Sequence, residues 1–141
     1  MFNALDSLKP YAHWLLRIAL ASVFLYHGIL KVMALGGFVE MSGLPMPVAA
    51  LVAFAEVAGG AGIIVGAFTN DLITRLAGLA IVPVLLGAIF MVHWGQWNFM
   101  PSESHPTGGI AFQTVLLLIA LYFLVMGNAA DSGRSGGSAP A

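Results

Sequence analysis

The sequence predicts an all-α protein: a bundle of four transmembrane helices with both termini on the cytoplasmic side. Three observations predict it. The chain is 60% hydrophobic and 8% charged, with a mean hydropathy of +0.95, whereas a soluble domain carries about 25% charged residues. Its apolar residues fall into runs long enough to cross the hydrocarbon core, which takes about 20 helical residues. Between the runs stand clusters of Gly, Pro, Asn and Asp, the residues that interrupt helices. The length, 141 residues, suits one domain. A net charge of −1, with five basic residues scattered along the chain, excludes the clustered Lys and Arg that a nucleic-acid partner requires. The absence of cysteine excludes disulfides, thiolate metal sites and iron–sulfur clusters within the chain.

The elements follow in order. Residues 1–10 form a polar lead in which Pro10 suits the first turn of the next helix. The first span runs from about Tyr11 to Met33. That stretch is longer than the 7–15 apolar residues of a cleaved signal peptide, so a retained helix is expected. Ala34 to Met46, with Gly36, Gly37, Gly43 and Pro45, reads as a loop holding Glu40. The second span extends from Pro47 to Thr69, and Asn70 or Asp71 can cap the third. The third covers about Leu72 to Trp94 with Pro83 inside, which should kink it and free one carbonyl. Gly95 to Thr107 is the longest polar loop, and the fourth span runs from about Gly108 to Met126. The membrane domain is therefore 11–127, followed by a Gly/Ser-rich tail, 128–141, expected to be disordered.

Lys9, Arg17, Arg75 and Arg134 fall on the side of the termini and only Lys31 on the other. The positive-inside rule then puts both termini in the cytoplasm, in a multi-pass protein of the inner (cytoplasmic) membrane. Tyr11 and Trp14 mark one interface, and Trp94, Trp97 and Phe99 the other.

Glu56 stands alone in the second span, among Ala49, Ala53, Gly59, Gly60 and Gly62. Holding an acid in the bilayer costs roughly 2.5–3.5 kcal/mol on insertion scales, so it should face a partner inside the bundle. Antiparallel packing brings the last turns of the first span, with His27 and Lys31, to its depth, and His93 lies near the same level. His13, Arg17, Leu20, Phe24, Gly28 and Lys31 share one stripe of the first helix. The expected arrangement is a buried polar seam between the first two spans, with Arg17, His27, Lys31, Glu56 and His93 as candidate ligand-binding residues. Plainer readings stand beside it. Glu56 with Lys31 can be a structural ion pair that fixes register. Arg17 can snorkel to the headgroups, and Trp94 and Trp97 can be interface anchors rather than a ligand wall. Nothing signals a haem between His27 and His93, and the spacing of His93, Glu103 and His105 matches no metal motif.

These residues also carry a family signature. RIALASVFLYHGILKVM (Arg17 to Met33), GLP (Gly43 to Pro45) and FAEVAGGAGIIVGAFT (Phe54 to Thr69) resemble the DoxX family of small four-helix membrane proteins. The marks are Arg17, the Gly-x-x-Lys of Gly28 and Lys31, Glu56 followed by Gly59 and Gly60, and Gly66 before the turn. The likeness covers about Leu15 to Tyr122. It implies the fold and, more loosely, a place beside redox enzymes. The related DoxD-type proteins are subunits associated with quinone-linked thiosulfate oxidation or a terminal quinol oxidase, and other DoxX-like proteins act as anchors for oxidoreductase or redox-defence assemblies.

The expectation is accordingly a DoxX-like integral membrane subunit of a quinone-linked redox complex, auxiliary rather than catalytic because it has neither cysteine nor a cofactor motif. Its partners are the lipid bilayer and other membrane subunits, with no nucleic acid and no metal. Lys31 and His27 would donate to a quinone carbonyl or lipid, Glu56 would hold their charge state, and Phe24, Tyr26 and Trp94 would pack the ring. Two alternatives belong to other classes. One is an accessory subunit that packs through small residues such as Gly78 and Gly87. The other is a proton or small-solute transporter, for which four helices leave little room.

Overall fold

The computed structural model describes residues 3–131, and every regular element among them is helical. A short α1 (Asn3–Asp6) and a 3-10 turn (Lys9–Tyr11) lead into α2 (His13–Met33). Then come α3 (Leu35–Ser42), α4 (Met46–Phe68), α5 (Asp71–Gly87) with its π-helical continuation Ala88–Val92, α6 (Ala111–Met126), and a 3-10 turn over Gly127–Asp131. Among the described residues four stretches are long and apolar enough to cross a membrane: Lys9–Met33, Met46–Phe68, Asp71–Val92 and Ala111–Ala129. α4 lies between α2 and α5, and α6 packs on α5 and closes the bundle against α2. Leu20 and Phe24 of α2 meet Ile63, Ile81, Leu116 and Phe123 from the other three helices in one core.

Lipid tails are as apolar as leucine, so van der Waals contact rather than hydrophobic expulsion must hold these helices together. Glycines supply that contact. A Cβ on Gly28 would lie 2.9 Å from the Glu56 Cβ, one on Gly66 would lie 2.7 Å from the Thr74 backbone nitrogen, and one on Gly78 would lie 2.8 Å from the Ala120 carbonyl oxygen. The three interfaces α2–α4, α4–α5 and α5–α6 are each set by a missing side chain. Gly78 is thus consumed inside the protein and does not serve a partner, while Gly87 faces open space.

Two local expectations change, over 34–46 and in the tail, and two gain detail. The stretch 34–46, read as a loop, contains α3. Its two adjacent glycines lower helix propensity, but Gly43, at φ +68°, stops it in the left-handed conformation that glycine adopts at no steric cost. Either Asn70 or Asp71 was eligible as the α5 cap, and the role falls to Asn70, whose Oδ1 accepts from the Ile73 N–H at 3.0 Å. Pro83 lies within α5, and beyond it the backbone passes into π geometry over Ala88–Val92, where the His93 N–H donates to the Ala88 carbonyl at 3.1 Å. The tail, expected to be disordered from 128, begins with the ordered turn Gly127–Asp131; its remainder, 132–141, lies outside the described residues.

The glycine contacts generate a contrast. Gly66→Ala forces backbone apart at the α4–α5 crossing and should cost about 1–3 kcal/mol, the usual penalty of overpacking, whereas Gly87→Ala meets nothing and should stay within about 0.5 kcal/mol of the parent. Thermal unfolding of the detergent-solubilised protein checks both; equal losses would mean that the α4–α5 crossing is not set by Gly66.

Candidate functional site

Side chains on an α-helix tilt toward its N-terminus. Lys31, in the last turn of α2, therefore reaches back to the level of Gly28, where the bare helix surface admits α4 and Glu56. Its Nζ lies 2.6 Å from Oε1 and 2.6 Å from Oε2 of Glu56. Glu56 is 4% exposed, and the Lys31 side chain retains 22%. The pair is charge-balanced, with one face closed and one open. Phe38 of α3 stands over the open face, its ring centroid 5.1 Å from Nζ, a cation–π contact strengthened by low dielectric. A shallow groove of about 290 Å³, lined by His27, Lys31, Gly37, Phe38 and Met41, opens beside it.

Arg17 belongs to a different site. It lies 14 residues before Lys31, about 21 Å away along the helix, with the apolar Leu20, Ala21 and Phe24 buried between them. It is fully buried, so it does not snorkel: the chain itself surrounds the guanidinium with acceptors. Its Nη1 donates to the Ile63 carbonyl at 2.5 Å and to Thr74 Oγ1 at 3.2 Å, and Nη2 donates to Asn128 Oδ1 at 2.9 Å. Nε donates to His13 Nδ1 at 3.0 Å, which requires the imidazole lone pair at Nδ1. The Phe123 ring covers the guanidinium, 4.8 Å from Cζ to the centroid. Asn128 ties the cluster shut: Oδ1 also accepts from Thr74 Oγ1 (2.7 Å), Nδ2 donates to the Gly66 carbonyl (2.8 Å), and its backbone N–H donates to Asp71 Oδ1 (2.6 Å). Beside it, Arg75 donates to the Leu124 and Val125 carbonyls at the end of α6, a cationic cap on the negative helix terminus.

Of the candidate residues, Lys31 and Glu56 are brought together and His27 lines the same groove, exposed and edge-on to the Tyr26 ring at 5.3 Å. His93 is used elsewhere: its Nδ1–H donates to the Gly108 carbonyl at 3.0 Å and anchors the 93–110 loop. The single continuous seam is therefore two polar sites at opposite ends of the bundle. The ring-packing set is also dispersed, since Phe24 is buried in the core while Tyr26 and Trp94 are exposed. Three residues of the two sites gave no sequence signal: Thr74 and Asn128 look like ordinary helix-end residues, and Phe38 sits in a glycine-broken stretch.

Arg17 and Asn128 should be energetically coupled. Asn128→Ala leaves two buried donors short of an acceptor and should cost about 1–3 kcal/mol. A double-mutant cycle with Arg17→Met should return a coupling of about 0.5–3 kcal/mol, measured by unfolding in detergent; strict additivity would mean that the two do not share one network.

No curated protein and no solved structure gives a match. The DoxX family model matches residues 12–94, which comprise α2 to α5 with Arg17, Lys31 and Glu56, while α6 lies beyond the matched stretch. With more than half of its length matched and four helices able to span a bilayer, the chain is a multi-pass membrane protein of the DoxX family.

Proposed function

We propose that this protein is an auxiliary subunit of a quinone-linked redox complex in the cytoplasmic membrane, with both termini in the cytoplasm, and that the Lys31–Glu56 pair holds the polar head of a quinone or lipid. The observation that carries the reading is the half-open ion pair. A lysine within a span is expensive unless answered, and here the answered ammonium still faces a groove, with His27 on its rim and Phe38 above it. Such an ammonium can turn one of its three donors toward a ligand carbonyl while the others stay on Glu56. His27, on the rim of the same groove, supplies a second ring donor within reach of a bound head group. In this reading the electrons are carried by the partner subunits, and this chain supplies the head-group contact.

One observation favours a second, structural reading. Both carboxylate oxygens already accept from Lys31, so the pair is satisfied without a ligand and can serve only to fix the register of α2 against α4 in an accessory subunit.

The readings separate on gentle purification from native membranes followed by mass spectrometry of bound lipids, quinones and proteins. The ligand reading expects a quinone or lipid adduct that Lys31→Met and Glu56→Gln each remove while the partner subunits stay attached. Under the structural reading each single substitution destabilises, by about 3–5 kcal/mol where a buried charge loses its partner. The double substitution Lys31→Met/Glu56→Met then recovers most of that loss, with adducts unchanged throughout. Unchanged adducts in both single variants would overturn the ligand proposal.

A further inference from the structure

A second groove, of about 350 Å³, lies at the end of the bundle that carries the termini. Its lining includes Ser7, Tyr11, His13 and Trp14, from the lead and the first turn of α2, and Ala67 and Phe68 at the end of α4. We propose that this groove holds the phosphate of a membrane phospholipid. The site shares no residue with the Lys31 groove and does not depend on what binds there.

The lining chooses the occupant. A phenol offers an O–H and an indole an N–H with no acceptor. Neither Tyr11 nor Trp14 has a hydrogen-bond partner among the described residues. His13 is 8% exposed, and its Nδ1 accepts from Arg17 Nε at 3.0 Å. An imidazole that accepts at Nδ1 carries its proton at Nε2, so the other edge of the ring is a donor as well, with a guanidinium behind it. No carboxylate stands among the described lining residues, and Asp6, next to Ser7, is engaged by Lys9 at 2.6 Å. Of the carbonyls in the last turns of α4, those of Ile63, Val65 and Gly66 already accept from Arg17, Thr69 and Asn128. A groove of donors selects a ligand rich in acceptor oxygens, and bonds to an ionised oxygen are the strong ones. An ammonium head would meet N–H and O–H groups with no counter-charge in the lining.

Depth chooses the source. One span begins at Lys9 and another ends at Phe68, so the groove lies at the membrane boundary, where Tyr and Trp concentrate and where phospholipid phosphates are supplied. The Trp14 and Phe68 rings, 5.2 Å apart and tilted by 45°, give an apolar wall against which glycerol carbons can rest. At about 30 Å³ per small group, the groove has room for roughly eleven such groups, enough for a phosphodiester with its glycerol backbone.

The test uses the full chain in mild detergent, with bound probe counted by native mass spectrometry. The probes are dioleoyl phosphatidylglycerol and dioleoylglycerol, which lacks the phosphate. The parent protein should hold the phosphatidylglycerol about tenfold more tightly. Tyr11→Phe and Trp14→Phe each remove one donor and keep an aromatic ring. Together they should bring the ratio to within about twofold, with dioleoylglycerol binding and the unfolding temperature unchanged. Trp97→Phe, at the other end of the bundle, should leave the ratio as it is. A ratio that survives the double variant, or falls as far in Trp97→Phe, overturns the proposal. A one-to-one adduct of inorganic phosphate on the delipidated parent, absent from the double variant, assigns the groove to free phosphate and overturns the lipid source.

Discussion

A charged group inside a bilayer has no water to return to, so it must be answered by the chain that carries it. This constraint organises the molecule. Arg17 is answered by α2, α4, α5 and the turn after α6 together, and the arrangement that satisfies it fixes the rotation of each helix about its axis. Among the described residues Glu56 is answered by Lys31, which ties α2 to α4 at that level. Apolar packing between the two sites tolerates sliding more readily than a guanidinium tolerates a missing acceptor, because an unmet buried polar group carries its whole desolvation cost.

The two polar sites divide the labour of the bundle. At the end carrying the termini, the Arg17 network draws on four segments and on the Arg75 cap of α6, leaving few groups free to rearrange. At the other end, α3 rests on the bundle without a fully buried residue, and the Lys31–Glu56 pair keeps one side open. Regions with few buried contacts are where local opening is least costly, and ligand sites are drawn from them. The bundle thus has a fixed base and a lightly covered mouth.

Much of this was legible in the sequence, for identifiable reasons. The spans follow from apolar length and from breaks at Gly, Pro and Asn. Lys31 as the partner of Glu56 follows from matching depth in antiparallel helices, since both lie a computable rise from their helix ends. What could not be read were contacts depending on helix rotation and on irregular backbone. Arg17 admitted both burial and snorkelling until the position of Asn128, 111 residues away, was known. α3 is not legible locally because Gly36 and Gly37 argue against a helix, and Gly78 is a small residue on a helix whether its neighbour is α6 or another protein. The sequence puts His93 near the depth of Glu56, yet its ring is claimed by Gly108 of the following loop, a turn that periodicity does not describe.

The Asn128 clasp has a consequence for biogenesis. Arg17 enters the membrane with the first helix, while the amide that completes its coordination is synthesised 111 residues later. At typical rates of about 5–20 residues per second, the guanidinium waits on the order of ten seconds for its last ligand. During that interval lipid phosphates, water or the insertion machinery must shelter it. The native bundle closes only after the fourth helix has been inserted, so the assembly order of the helices is written into a single side chain just past the end of the last one.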